Sequence, residues 1–132
     1  MENKIILISV IAALIVSFFM FSNSNLDKQV IPASFSLSDK TGFDLNPGEL
    51  TFGAITENHS GTRSITVENK FNKPIIVNIK SSGEISKNII VSENNFIINP
   101  QELRNITFSI YTKGLTEFRE YIGKVEIISK RA

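Results

Sequence analysis

Residues 103–112, LRNITFSIYT, contain the clearest pattern in the chain, because apolar and polar side chains alternate along most of the stretch. Ile106, Phe108 and Ile110 fall on one face of an extended strand, and Thr107 and Ser109 fall on the other. Strict alternation over this length is typical of a β-strand with one buried face and one solvent face. The stretch therefore predicts a strand in a sheet with a single apolar face.

The same alternation recurs in shorter runs from residue 33 onward, separated by Gly, Pro, Asn and Ser. After residue 30 the chain has no stretch with the apolar period of a helix. We predict eight short strands at residues 34–38, 49–55, 62–69, 74–80, 88–92, 95–99, 103–112 and 120–130. Many short strands separated by turn residues favour an all-β fold, a single antiparallel β-sandwich, with a closed barrel as the alternative.

The N-terminal region differs, because residues 5–21, IILISVIAALIVSFFMF, contain no charged residue, Gly or Pro. As a helix this run would be about 25 Å long, the short end of what crosses a bilayer. We therefore predict an N-terminal transmembrane helix or uncleaved signal at 1–22, a linker at 23–32 and a sandwich at 33–132. Lys4 and the amino terminus precede the run, which predicts a single-pass, membrane-anchored protein with a cytoplasmic N-terminus and an extracytoplasmic C-terminal domain.

Two other interpretations of this run remain open. Residues 22–24, SNS, could form the small-residue site of a cleaved signal peptide, although the long apolar run and the aromatic residues at its end favour an anchor. The run could also be a buried core helix, but no later segment has the pattern of a packing partner for it.

Composition excludes several classes of function. The chain has 132 residues, a net charge of +1, no Cys and one His. A disulfide framework, a thiolate metal site and a multi-histidine metal centre are therefore excluded. A nearly neutral chain also argues against binding to nucleic acid through phosphate neutralisation. We predict no cofactor, no metal site and no catalytic residues.

Three positions outside the predicted core carry candidate chemistry. His59 lies in a turn with Glu57 as its only nearby acidic residue, which is typical of a solvent-exposed histidine and not of a catalytic site. Asn58 and Asn105 each begin an Asn-x-Ser/Thr sequence, which makes both candidate glycosylation sites in an exported protein.

Several isoleucines lie on the predicted outer faces of strands. Ile76, Ile122 and Ile128 are out of phase with the core positions of their own strands. A sandwich strand normally has one solvent face, so apolar residues on both faces indicate either a locally covered strand or a surface for a partner. We take these three residues as a candidate partner face.

The strand pattern resembles a known family of domains. Residues 45–55, LNPGELTFGAI, are followed by an apolar strand that ends at Asn69, and residues 96–100 read FIINP. Together with residues 121–125, YIGKV, they resemble immunoglobulin-like β-sandwich domains of the Hydin and major-sperm-protein type, over about residues 43 to 130. The resemblance implies an immunoglobulin-like sandwich of seven to eight strands that binds or scaffolds other proteins and has no catalytic residues.

These observations lead to an expected function. We expect a non-catalytic, membrane-tethered module of the cell envelope that binds the membrane through residues 5–21 and another envelope or surface protein through its strands. Self-association of the chain is a further alternative, and nucleic acid is not an expected partner. The alternatives are a subunit of a cell-surface filament or appendage-associated complex, and a small exported carbohydrate-binding or hydrolytic domain.

Overall fold

The structure of the protein is a computed structural model that describes residues 1–22, 25–42 and 48–132. Helix α1 comprises Glu2–Ser22, and a short 3-10 helix comprises Glu84–Lys87. The strands of the described residues are β1 (Asp27–Leu37), β2 (Leu50–Ile55), β3 (Ser60–Glu68), β4 (Ile75–Gly83), β5 (Ile89–Val91), β6 (Phe96–Ile98), β7 (Leu103–Tyr111) and β8 (Glu120–Arg131). Residues 23–24 of the predicted linker and 43–47, which begin the motif of the family resemblance, lie outside the described residues.

The strands form two sheets, as the alternation predicts. Sheet A has five strands in the order β2-β1-β8-β4-β6, and sheet B has three in the order β3-β7-β5. The predicted β-sandwich is thus confirmed. Its predicted antiparallel pairing holds for every pair except β1 and β2, which run parallel.

Strand β1 begins earlier than the sequence pattern indicates. Residues 27–32, predicted to be linker, pair with β8 from Asp27 opposite Ser129 to Pro32 opposite Lys124. These residues are mostly exposed and lack the apolar alternation of the later half, so their strand character comes from the ladder with β8. The sheet therefore extends to within a few residues of α1.

The core lies between the inner faces of the two sheets. Ile106, Phe108 and Ile110 of β7 are each at most 1% exposed, and Val125 of β8 is fully buried. The ring of Phe35 on β1 stacks against Tyr121 on β8, with ring centroids 4.9 Å apart. Because these residues alternate with exposed or half-buried ones along their strands, the period-2 pattern directly marks the buried face.

Two buried polar side chains join the ends of the strands across the sandwich. Asn69, which follows β3, donates from its amide nitrogen to the carbonyls of Lys73 (2.8 Å) and Ile98 (2.9 Å). Thr112, which follows β7, donates to the carbonyl of Thr56 (2.7 Å) and accepts from the backbone N–H of His59 (3.0 Å). Both side chains are fully buried and hydrogen-bonded, so the cost of burying them is offset.

The prediction of a transmembrane anchor was wrong. Within the part of the chain that the structure describes, no helix combines the length and the apolar character needed to cross a bilayer. The uncharged run from Ile5 covers about 25 Å, less than the roughly 30 Å of a hydrocarbon core, and Glu2 and Lys4 lie in the first turns of α1. The predicted single-pass localisation, with a cytoplasmic N-terminus and an extracytoplasmic domain, is overturned by the same finding.

The burial of β7 leads to a test of the core. We expect Ile106→Ala to lower the free energy of unfolding by about 2–5 kcal/mol, because a fully buried Ile loses its contacts and leaves a cavity. The matched control Ile90→Ala removes the same atoms from a side chain that is 60% exposed, and should change stability by no more than about 0.5 kcal/mol. Urea denaturation followed by circular dichroism measures both. Equal effects of the two substitutions would contradict the assigned inner face of β7.

Candidate functional site

Helix α1 is the largest exposed apolar surface of the described residues. Its large apolar side chains between Ile5 and Phe18 are 48–73% exposed, on every side of the helix. Its only polar side chains in this stretch are Ser9 and Ser17, whose hydroxyls donate to the carbonyls of Ile5 (2.9 Å) and Ala13 (2.8 Å), one turn back. Because these hydroxyls are satisfied within the helix, they give α1 no polar face.

The candidate partner face predicted from the sequence is not one continuous apolar patch. Ile122 is 58% exposed and Ile76 is half-buried, but Ile128 is only 6% exposed although it lies on the outer face of sheet A. Ile128 is flanked on that face by Lys28 of β1 and Asn78 of β4, its partners in the two ladders. Long polar side chains can cover an apolar neighbour in this way. Ile122 is therefore accessible to a partner, and Ile128 is not.

Charged residues occupy the centre of the same outer face. Glu126 lies 3.2 Å from the Nζ of Lys124 and 3.6 Å from the Nζ of Lys28. The hydrogen bond from Lys124, together with the positive charge of Lys28, holds the pKa of the Glu126 carboxyl below its usual range. Lys124 and Glu126 lie along β8 between Ile122 and Ile128, and Lys28 lies on the neighbouring β1, which makes the centre of the face a hydrated surface.

The outer face of sheet B has a different character. Its central part carries hydroxyl side chains, and Ser64 of β3 lies 3.0 Å from the Oγ1 of Thr107 on β7. Exposed apolar side chains border it, namely Ile90 (60% exposed), Leu103 (61%) and Tyr111 (47%). The sequence pattern did not single out Leu103 and Tyr111, because they lie at the two ends of β7 on the face that the alternation assigns to solvent.

Both predicted glycosylation sites are at the surface. Asn58 is exposed in the turn between β2 and β3. Its φ of 55° lies in the left-handed region, which asparagine adopts more readily than most residues. Asn105 is exposed on the outer face of β7, and Thr107 lies on the same face. Both side chains are accessible to a modifying enzyme, and their modification stays a prediction.

His59 has local contacts that stabilise its turn. Its Nδ1 lies 2.7 Å from the carbonyl oxygen of Glu57 and 2.9 Å from the Oγ1 of Thr56. No group of three His, Cys, Asp or Glu side chains among the described residues is arranged to hold a metal ion. His59 is exposed, as the sequence predicts, and these contacts lie within its own turn.

An open groove of about 760 Å³ lies at the end of sheet A next to Ile122. It is bordered by Pro32, Glu84, Glu120 and Lys124. The carboxylate of Glu84 accepts hydrogen bonds from Arg119 (3.0 Å) and from the backbone N–H of Ile122 (3.3 Å). Glu84 is therefore fixed by hydrogen bonds to the segment that leads into β8 and to β8 itself. The groove beside it is open to solvent.

The charges around Glu126 lead to a titration test. We expect Lys124→Ala to raise the pKa of Glu126 toward its usual range, because the largest interaction that favours the carboxylate is removed. Since folding lowers this pKa, the carboxylate contributes stability above the pKa of the unfolded chain, and the contribution is lost as pH falls through the folded pKa. NMR titration of the side-chain carboxyl carbon measures the shift. Lys130→Ala is the control, and an unchanged pKa in Lys124→Ala would contradict the assigned pairing.

Comparison with known proteins adds no family to this description. No protein-family model, no curated protein and no solved structure matches the chain. The resemblance to immunoglobulin-like domains of the Hydin and major-sperm-protein type therefore remains an inference from residues alone.

Proposed function

We propose that the protein is a non-catalytic protein-binding or structural module. In this proposal α1 packs against other protein chains, and this contact attaches the β-sandwich to them. The observation that carries the proposal is the exposure of α1, whose apolar side chains face outward on all sides. A helix that is apolar on every side is stable when apolar groups surround it and unstable when water surrounds it.

The size of the exposed surface supports protein association through α1. Each of its large apolar side chains is roughly half to three-quarters exposed, so completing its burial contributes about 1–2 kcal/mol. Ten such side chains between Ile5 and Phe18 offset an association cost estimated at about 4–15 kcal/mol. An apolar partner surface that covers most of α1 is therefore sufficient for stable binding.

The sandwich supports a non-catalytic role for the rest of the chain. Its buried polar groups, Asn69 and Thr112, act within the fold, and its carboxylates at the surface are bonded to neighbouring Lys and Arg side chains at several positions. The resemblance of residues 43 to 130 to immunoglobulin-like domains supports the same proposal, because such domains generally bind or scaffold other proteins.

A second candidate is a subunit of a filament or similar assembly. The observation that favours it is that α1 has no polar face and so needs neighbours on several sides, not one. Copies of α1 packed side by side would supply such neighbours with side chains of the same kind. In this case the partner chains are further copies of the protein.

A charge placed in the middle of α1 tests the proposal. We expect Leu14→Glu to lower the fraction of the full chain found in complexes at least tenfold, because the partner surface would have to desolvate a carboxylate. Ser17→Ala is the matched control, since it removes a hydroxyl that is already bonded within the helix and should leave association intact. Sedimentation velocity of the full chain measures the fraction. Unchanged association in Leu14→Glu would show that α1 is not the binding surface.

The two candidates differ in what the purified chain does alone. If the protein is a filament-type subunit, the full chain should form elongated assemblies by itself, visible by negative-stain electron microscopy, and Leu14→Glu should abolish them. If it binds a different protein, the purified chain should give no elongated particles and should instead form a complex of fixed stoichiometry with that protein. Elongated particles that persist in Leu14→Glu would contradict the role given to α1 in both.

A further inference from the structure

Among the described residues, no strand pairs with the outer edge of β3. Its nine residues pair with β7 without interruption, from Ser60 opposite Tyr111 to Glu68 opposite Leu103, and β3 is the outermost strand of sheet B. The N–H of Thr112 donates to the carbonyl of His59, and the N–H of Asn69 donates to the carbonyl of Glu102. These bonds at the two ends show that the backbone N–H and C=O groups of the odd-numbered residues of β3 point toward β7. The backbone groups of the even-numbered residues therefore point away from the sheet.

The other sheet edges among the described residues are short or covered. Strands β5 and β6 have three residues each, which offers little backbone for pairing. The outer edge of β2 is bridged by Gly42, whose backbone exchanges two hydrogen bonds with Ala54. Natural proteins commonly protect their edges in these ways, and also with proline, bulges or charged side chains. The outer-face side chains of β3 are Ser60, Thr62, Ser64, Thr66 and Glu68, and the strand has no proline and no bulge.

We infer that β3 pairs with β3 of a second copy of this chain, antiparallel and about a two-fold axis at Ser64. In this register Ser64 faces Ser64 of the other copy, Thr62 faces Thr66, and Ser60 faces Glu68. All of these residues have outward-pointing backbone groups, so each facing pair can exchange two hydrogen bonds. The pairing joins the two copies of sheet B into one continuous six-stranded sheet.

The side chains of β3 are compatible with this register. On the outer face, small hydroxyl side chains meet one another, and Thr–Thr and Ser–Ser pairs across strands are favourable. On the inner face, Arg63 faces Ile65 of the other copy, so no two like charges are brought together. The guanidinium of Arg63 already donates to the carbonyl of Thr51 (2.6 Å), which holds it between the two sheets. A self-complementary strand therefore identifies a second copy as the partner that this edge fits.

This inference goes beyond the proposed function, because the β3 edge and α1 are separate surfaces. The chain contains no cysteine, so a single Cys reports on one contact at a time. We expect Ser64→Cys in the full chain to give a covalent dimer with a short bifunctional thiol reagent, since the two Cα atoms would lie about 5.5 Å apart. Asn105→Cys is the control on the same exposed face. It should not give the dimer, because the two Cα atoms are separated by about three strand spacings across the sheet and by about four residues along it, roughly 20 Å in all.

A proline at the edge tests the backbone bonds themselves. The N–H of Thr66 points away from β7, so Thr66→Pro removes only a bond to the second copy and is tolerated in an edge strand. In the Ser64→Cys chain, we expect Thr66→Pro to lower the yield of covalent dimer at least tenfold and Thr66→Ala to retain it. Near-ultraviolet circular dichroism confirms that both variants keep the fold.

Three outcomes would overturn the strand pairing. They are no covalent dimer from Ser64→Cys, equal yields from Ser64→Cys and Asn105→Cys, or equal yields with Thr66→Pro and Thr66→Ala. Leu14→Cys reports separately on contacts between copies of α1. Cross-linking at Leu14 without cross-linking at Ser64 would remove this inference and leave the role of α1 in place. The reverse result would support the strand pairing without self-association through α1.

Discussion

The whole structure depends on the burial of one face of β7 and one face of β8. Ile106, Phe108 and Ile110 of β7 enter the core from sheet B, and Val125 and Ile127 of β8 enter it from sheet A. The two strands are the central strands of their sheets, so every other strand pairs with one of them or with a neighbour of one. Because the chain contains no cysteine, packing of these faces has to supply the stability that disulfides provide in other domains.

The buried polar side chains restrict how the two sheets meet. Apolar packing alone tolerates small shifts of one sheet over the other, since it has little directionality. Asn69 bonds to the carbonyl of Ile98 across the sandwich, and Thr112 bonds to the turn between β2 and β3. A shift would leave these groups buried without partners, at a cost of about 1–3 kcal/mol each. They therefore favour a single arrangement of the sheets over similar alternatives.

The strands could be predicted from the sequence because alternation and burial have the same physical cause. The later half of β1, with Phe35 and Leu37 buried, was predicted, whereas residues 27–32 were not, since their strand character depends on pairing with β8. The burial of Ile128 depends on its neighbours Lys28 and Asn78, which are distant in sequence. The parallel pairing of β1 with β2 was also unpredictable, because a local pattern contains no information about strand direction. The free edge of β3 follows from strand order, which alternation does not reveal.

The helix and the free strand edge impose different symmetries on any assembly that uses both. Pairing of β3 about a two-fold axis uses the same surface on both copies and is complete at two chains. Packing of α1 has no such limit, because a helix that is apolar on every side can accept a neighbour in several directions. An assembly that uses both contacts therefore grows through α1 and is joined in pairs through β3. Helix α1 makes contacts through apolar side chains, and the edge of β3 makes them through backbone hydrogen bonds. A partner that matches one of them does not compete for the other.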